Sequence, residues 1–204
     1  GGYDPYSSSK GCAELVASAY RRSFLQEQNI GLASVRAGNV IAGGDWADDR
    51  LIPDILRSFE RNESVSIRNP KATRPWQHVL EPLSGYLILA QKLYNNQKEY
   101  AEGWNFGPNA QDVMPVDWIL NKMTDKWPNS SWKLDSNPGP YEANFLQLDI
   151  SKAQSKLNWS PIWNLDRTLG KIINWHKDWL NNKDMQAVCL LEIKEYMRDM
   201  SNAV

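Results

Sequence analysis

An α/β fold is predicted, with the end of a parallel sheet leading into a smaller mixed lobe, and three observations carry it. Pro5 opens a segment with helical periodicity. An apolar run at Leu32–Val35, entered through Gly31, reads as a short buried strand ending at Arg36. The remainder alternates helical-period segments with short strand-like runs, too few of them parallel in type to build a self-sufficient doubly wound sheet.

The first helix is expected over residues 7–28, with Ala13, Leu15, Val16, Ala19 and Tyr20 as its inward stripe. The stretch GNVIAGGDWADD, with Gly38, Gly43 and Gly44, reads as a ligand loop at the carboxyl end of the strand. Its aspartates, Asp45, Asp48 and Asp49, lack the alternation and closing glutamate of a calcium loop and read as capping and solvated groups. A helix over 53–61 presents Ile52, Ile55, Leu56 and Phe59, and SVSIR alternates as a strand before the turn material NPKATRP. The next helix, over 79–94, is read with Leu83, Tyr86, Leu87, Ala90 and Leu93 inward, and GWNFGP follows as a strand. Pro115 starts a helix that runs to Lys126 on Val116, Ile119, Leu120 and Met123. A strand at 132–134, a rigid NPGP loop, a strand and capped short helix in FLQLDISKAQSKLNW, and helices over 165–180 and 184–197 complete the chain.

At 204 residues the chain is long enough for one domain, or a domain and a lobe. A formal charge of −1 gives no footprint for nucleic acid or an anionic membrane. Cys12 and Cys189 are expected to be unpaired. With His78 and His176 isolated in sequence, no metal site is expected. The absence of a leader-like segment and of any apolar run near twenty residues leads to the expectation of a soluble cytoplasmic protein.

The chemistry lies in YSSSK. Tyr6 and Lys10 are four residues apart, so one helical face presents both, and an ammonium beside a phenol favours the phenolate, a base for an alcohol proton. That points to alcohol–ketone chemistry on a nicotinamide. The plainer reading makes Tyr6 a helix residue packed on a core. A second Tyr-x-x-x-Lys, Tyr94 to Lys98, has no comparable helix after it. No glycine-rich phosphate fingerprint occurs, so the catalytic half is expected to be present and the cofactor-holding half absent.

The strings YSSSKGCAEL, RAGNVIAGGDWADDRLIPDILR, RPWQHVLEPLSGYLILAQKLY, EGWNFGPNAQDV and YEANFLQLDISKAQSKLNWSP run across nearly the whole chain. They resemble the CDP-glucose 4,6-dehydratase branch of the extended short-chain dehydrogenase/reductase superfamily, and its C-terminal portion only. The resemblance implies residues 1–40 as the end of an NAD-binding Rossmann domain. Residues 41–204 would be mainly a sugar-nucleotide lobe, with the helix near 79–94 and the strand near 103–107 packing back on the Rossmann domain. The implied reaction converts CDP-D-glucose to CDP-4-dehydro-6-deoxy-D-glucose and water. It runs by transient oxidation at C4 with bound NAD, elimination across C5 and C6, and return of hydride to C6.

By the same resemblance Tyr6 is the base. Lys10 supports it and touches the nicotinamide ribose, and Arg36 and Ala37 lie at the cofactor. Asn39, Arg50, Leu51, Val65, Ile67, Arg74, Asn109 and Glu142 bind the sugar nucleotide, with Arg74 clamping the pyrophosphate and Val65 and Ile67 forming a slot for the base. For Val65 and Ile67 an ordinary core strand is an equal reading. His78 is expected to orient the Arg74 loop. Tyr141 and Ala42 depart from the pattern, which has a histidine and a glycine there. The implied N-terminal half with its glycine-rich turn precedes the chain, so the chain alone is expected to be inactive. Rival readings are another NAD-dependent nucleotide-sugar dehydratase or epimerase, and a non-catalytic sugar-nucleotide-binding fragment. A homo-oligomer, dimer or tetramer, is implied through the two long helices.

Overall fold

A computed structural model describes residues 4–135 and 145–203. The chain forms two compact units: Gly1–Ala37 with Pro82–Phe106 and Asp149–Ser160, and Gly38–Glu81 with Gly107–Leu148 and Pro161–Val204.

In the first unit, helix α1 (Pro5–Tyr20) continues into a π-helical turn at Arg21–Leu25. Strand β1 (Ser34–Ala37) pairs in parallel with the later strand of the same unit at Gly103–Phe106, in register from Ser34 with Gly103 to Ala37 with Phe106. Its core is aromatic. Trp104 and Phe106 are fully buried, Trp104 Nε1 donates to the Tyr100 carbonyl at 2.9 Å, and the Trp159 ring meets Phe106 edge-on at 5.0 Å. Trp159 Nε1 also donates to Ser84 Oγ at 2.9 Å, so the indole is satisfied at its polar end.

The second unit opens with β2 (Asn39–Ile41) and α2 (Leu51–Glu60), followed by β3 (Val65–Ile67), β4 (Thr73–Arg74) and β5 (Trp76–His78). Helix α3 (Leu80–Asn95) starts in this unit and passes into the first, where α4 (Gln97–Tyr100) and β6, the Gly103–Phe106 strand, follow. The chain then returns through β7 (Met114–Pro115), α5 (Val116–Lys126) and β8 (Trp132–Leu134). Helix α6 (Ser151–Leu157) belongs to the first unit, and α7 (Leu165–Leu180) and α8 (Met185–Asn202) close the second. The second unit's strands pair as β2 with β5 and β3 with β8, both parallel, and β4 with β7, antiparallel.

The amphipathic stripes of α2 and α5 supply the core of this unit. Ile55, Phe59, Ile119, Leu120 and Met123 lie with Leu169, Ile172 and Ile173 of α7 at 1 % exposure or less. Periodicity identifies these faces. It misplaces two others. No residue of α1 is buried, and Leu15, Val16 and Tyr20 are exposed rather than inward. On α3 the buried positions are Glu81, Pro82, Gly85 and Leu89, while Leu83 and Leu87 face out. Gly85 sets that face, because an added Cβ would fall 2.3 Å from the Phe106 ring.

Glu81, fully buried at the start of α3, ties the second unit together. Its Oε1 accepts from the Trp163 amide at 2.7 Å, and its Oε2 accepts from the Ile162 amide at 3.0 Å and from the Tyr196 hydroxyl at 2.7 Å. Burial raises its carboxyl above the ordinary value, and the bonds from Trp163, Tyr196 and Ile162 oppose that shift. The glycine at 38 is equally constrained. A Cβ there would stand 2.2 Å from the Pro75 carbonyl oxygen, beside the bond from the Asn39 amide to that oxygen at 2.8 Å.

Glu81→Gln turns an amide NH2 toward one of three buried donors, so urea denaturation should show a loss of about 1–3 kcal/mol. The folded protein holds the Glu81 proton more tightly than the unfolded chain. Wild-type stability should therefore fall, relative to the non-titrating variant, as pH rises from the unfolded carboxyl value through the raised folded one. Gly38→Ala should cost about 1–3 kcal/mol in the same measurement, because a backbone oxygen rather than a flexible side chain must give way.

Candidate active site

In the first unit the site grows from the helix cap. Asp4 accepts from the Ser7 amide at 2.9 Å, Ser7 reciprocates, and Pro5 fills the first turn, so α1 begins where Tyr6 and Lys10 fall on one face. Lys10 Nζ lies 5.5 Å from the centroid of the Tyr6 ring, and Tyr6 is 72 % exposed. Tyr6 is thus an outward group beside a cation and not a core residue. Ser9 Oγ donates to the Tyr6 carbonyl at 2.7 Å and is used within the helix. The second Tyr-x-x-x-Lys is split between α3 and α4, so Tyr94 and Lys98 share no helical face.

One turn beyond Lys10, Glu14 takes Ser34 Oγ on Oε2 at 2.6 Å and Arg36 Nε on Oε1 at 2.8 Å. The Ser34 hydroxyl, and after it the Arg36 guanidinium, hold the Glu14 carboxyl below the usual carboxylate range. Arg36 NH1 donates onward to Asn105 Oδ1 at 2.8 Å, and Asn105 Nδ2 to the Asp149 carbonyl at 3.0 Å. Arg36 is therefore engaged in a chain of bonds that links α1, β1 and β6. Gly103 leaves room for it, since a Cβ there would stand 2.1 Å from Arg36 NH2. Ala37 ends β1 opposite Phe106. Glu14 is missed by motif reading, although its spacing of four from Lys10 on the Tyr6 face marks it.

The second unit holds the other candidates. Asn39 begins β2 with its amide donating to the Pro75 carbonyl, and Arg74, which precedes that proline, donates from NH1 to the Thr73 carbonyl at 3.0 Å. Asn109 stands just before the 3-10 turn at Ala110–Asp112, whose Asp112 accepts from the Leu165 amide at 2.9 Å. Arg50 precedes α2 in extended conformation and is exposed, and Leu51 packs on the core. Val65 is a core residue at 3 % exposure and Ile67 packs beside it, in the register Val65 with Trp132 and Ile67 with Leu134. Glu142 lies outside the described residues.

In the glycine loop after β2, two glycines lie against an indole of α7. A Cβ at Gly43 would fall 2.2 Å from the Trp175 ring, and Gly44 has φ +79° against the same indole. Trp46 then sits 4.5 Å from Trp179 and 5.7 Å from His176, and Arg57 donates to the carbonyls of Trp46 and Ala47. These glycines admit an aromatic cluster. The histidines are not isolated either: His176 Nε2 bonds Glu60, and His78 Nε2 lies 3.2 Å from Glu192 Oε1. Among the described residues no group of His, Cys, Asp and Glu could hold a metal ion, Cys12 and Cys189 are free thiols, and no helix is long and apolar enough to cross a membrane.

Residues 3–105 match the NAD dependent epimerase/dehydratase family. CDP-glucose 4,6-dehydratase of Salmonella typhimurium is 58 % identical over 203 residues, covering 97 % of this chain and 56 % of that protein. UDP-glucuronic acid decarboxylase 1 of Arabidopsis thaliana is 22 % identical, covering 88 % of this chain and 39 % of that protein. Among solved structures, UDP-glucuronic acid 4-epimerase from Bacillus cereus, in complex with UDP-glucuronic acid and NAD, superposes with TM-score 0.69 at 20 % identity, over 86 % of this chain and 53 % of that one. The dTDP-glucose 4,6-dehydratase of Bacillus anthracis, in complex with NAD, gives 0.69 at 17 % identity, over 87 % and 53 %.

The chain thus spans about half the length of the relatives it matches. The expectation that it is only the C-terminal portion of such an enzyme, carrying the end of a Rossmann-type sheet, is corrected by the family match. The match begins at residue 3 and fills the N-terminal half of this sequence, from α1 through β1–β5 and α2–α4 into β6. The Rossmann-type part therefore stands at the front of the chain, and the chain belongs to the NAD dependent epimerase/dehydratase family.

Proposed function

We propose that the protein carrying this chain is a lyase that converts CDP-D-glucose to CDP-4-dehydro-6-deoxy-D-glucose and water. The observation that carries the reading is the 58 % identity to a CDP-glucose 4,6-dehydratase, sustained over 97 % of the chain. The outward pair of Tyr6 and Lys10 on one helical face agrees with it chemically.

NAD, when bound, supplies a reversible hydride acceptor, which is how a dehydration can begin and end at the same oxidation level. The fit of this chain to that cofactor rests on the exposed Tyr6 ring with Lys10 one turn away. The Tyr6 ring is open to a sugar hydroxyl, and the Lys10 ammonium stands one turn away on the same face. Tyr6 takes the proton of the C4 hydroxyl, and Lys10 stabilises the phenolate and reaches the cofactor's ribose. Arg36 and Ala37, at the end of β1, lie at the cofactor. Arg36 contributes there through its fixed position, since its guanidinium is already bonded to Glu14 and Asn105.

Asn39, whose amide donates to the Pro75 carbonyl, and Arg74, which precedes that proline, bind the pyrophosphate, for which a planar guanidinium fork suits two oxygens. Arg50 and Leu51 lie toward the nucleotide base and Asn109 toward the phosphate or ribose. Ile67 supports the base from the edge of β3, with Val65 acting behind it as core. Glu142 is assigned to a ribose hydroxyl. The protein works in the cytoplasm as a homo-oligomer, a dimer or tetramer, with no nucleic-acid partner.

Incubating the native protein with CDP-glucose and NAD and following the sugar nucleotide by NMR should yield the 4-keto-6-deoxy product. Conversion of UDP-glucose to its C4 epimer instead would replace the dehydratase reading with an epimerase one. Tyr6→Phe should lower kcat by about 10²–10⁴-fold with CDP-glucose binding retained, as expected on loss of a general base. Arg74→Ala should weaken CDP-glucose binding about 10–100-fold in calorimetry, the loss of a charge-assisted contact.

A further inference from the structure

The first unit presents a mechanical problem. Helix α1 carries the reactive pair, yet not one of its side chains is buried, so apolar packing within the described residues does not fix its direction. Two polar ties do. At its far end the Arg21 Nε donates to the Leu32 carbonyl at 2.8 Å, just before β1. Two turns earlier in the helix, Glu14 grips Ser34 and Arg36 within β1. Later helix residues thus meet earlier strand residues, and the helix runs antiparallel to β1. Extended by eight residues from Glu14, at a rise of about 1.5 Å each, the same face delivers Tyr6 about 12 Å further on, past the carboxyl end of β1. Tyr6, Lys10 and Glu14 are spaced four apart on that face.

We infer that Glu14 is a positioning residue: its paired bonds to Ser34 and Arg36 set the bearing of α1 and so hold Tyr6 and Lys10 at the end of β1. The inference rests on the function proposed above for Tyr6. The relation between Tyr6 and Lys10 is internal to the helix and does not need Glu14. The relation between the helix and the sheet does. Glu14 is also held from both sides, because Arg36 is steadied in turn by Asn105 and the backbone of Asp149. A carboxylate with two donors on a strand resists both sliding and rolling of the helix, which a single contact would not.

The test compares Glu14→Ala and Glu14→Gln with wild type in the native protein, by hydrogen exchange and by steady-state kinetics with CDP-glucose. Glu14→Ala should speed amide exchange at least fivefold along α1 while β1 and β6 stay protected. It should lower kcat about tenfold with KM changed less than twofold. Glu14→Gln, which keeps an acceptor for one of the two donors, should recover part of both. The inference is overturned by unchanged exchange in α1, by an unchanged kcat, or by exchange rising across the whole unit with kcat and KM worsening together, the mark of a general stability loss. Tyr6→Phe run alongside separates the two claims. If that variant keeps full activity, the reading of Tyr6 as base fails, while the exchange result still decides whether Glu14 directs the helix.

Discussion

The carboxylate of Glu81 is the constraint on which the second unit's architecture turns. It is fully buried, it sits at the start of α3, and it gathers donors from two places far apart in sequence: the 162–163 backbone and Tyr196 of α8. Two consecutive amides, Ile162 and Trp163, point at one carboxylate, so the segment entering α7 has its backbone direction fixed there. Each of these buried donors would cost about 1–3 kcal/mol if left without a partner. The arrangement is therefore closer to a requirement than to a bonus. Around it the same segment is sealed by aromatic contacts, with Trp163 edge-on to Tyr196 at 5.1 Å and to His78 at 5.0 Å, and with Trp163 Nε1 donating to Asp199 Oδ2 at 3.0 Å.

The two units solve the same problem with different materials. In the second, apolar stripes of α2, α5 and α7 make the core, and polar bonds fix how the later helices join it. In the first, aromatic packing secures α3, β6 and α6, and among the described residues α1 is tied to β1 by ionic and hydroxyl bonds. The difference matters for function. A helix placed by directional bonds has its angle specified, while one placed only by apolar area can adjust by rolling, because hydrophobic attraction has no direction.

Much of the fold was legible because periodicity reports burial where a helix is truly amphipathic. The faces of α2 and α5 and the bounds of α7 follow from the spacing of Ile52, Ile55, Val116, Ile119 and Leu165. The same logic misled for α1 and α3. Leu15, Val16, Leu83 and Leu87 are spaced like a core stripe, and the structure leaves them exposed. On α3 the buried face is chosen by a glycine that admits Phe106, and composition does not score the absence of a side chain as packing. The glycine loop is only half legible for a related reason. Glycine marks a place where something approaches the backbone closely, but not what approaches; at Gly43 and Gly44 it is the indole of Trp175. Long-range pairs such as His176 with Glu60 and Glu81 with Tyr196 are invisible to any local window.

The candidate site divides along the same line. What Tyr6 and Lys10 can do together is a property of helix geometry, since residues four apart share a face, and a cap at Asp4 with Pro5 suffices to start that helix in the right place. This information is local and a short motif contains it. Where the pair is aimed is a property of Glu14, Ser34, Arg36 and Asn105, which span the distance from α1 to β6 and carry no motif of their own. Arg36 shows why the distinction has consequences. As a bare sequence position it is a cation available to an anionic ligand, but in the fold its guanidinium is committed on two sides. Its contribution to a site must then come mainly through what it holds in place, so a short signature that names only the reacting groups understates the residues on which the reaction depends.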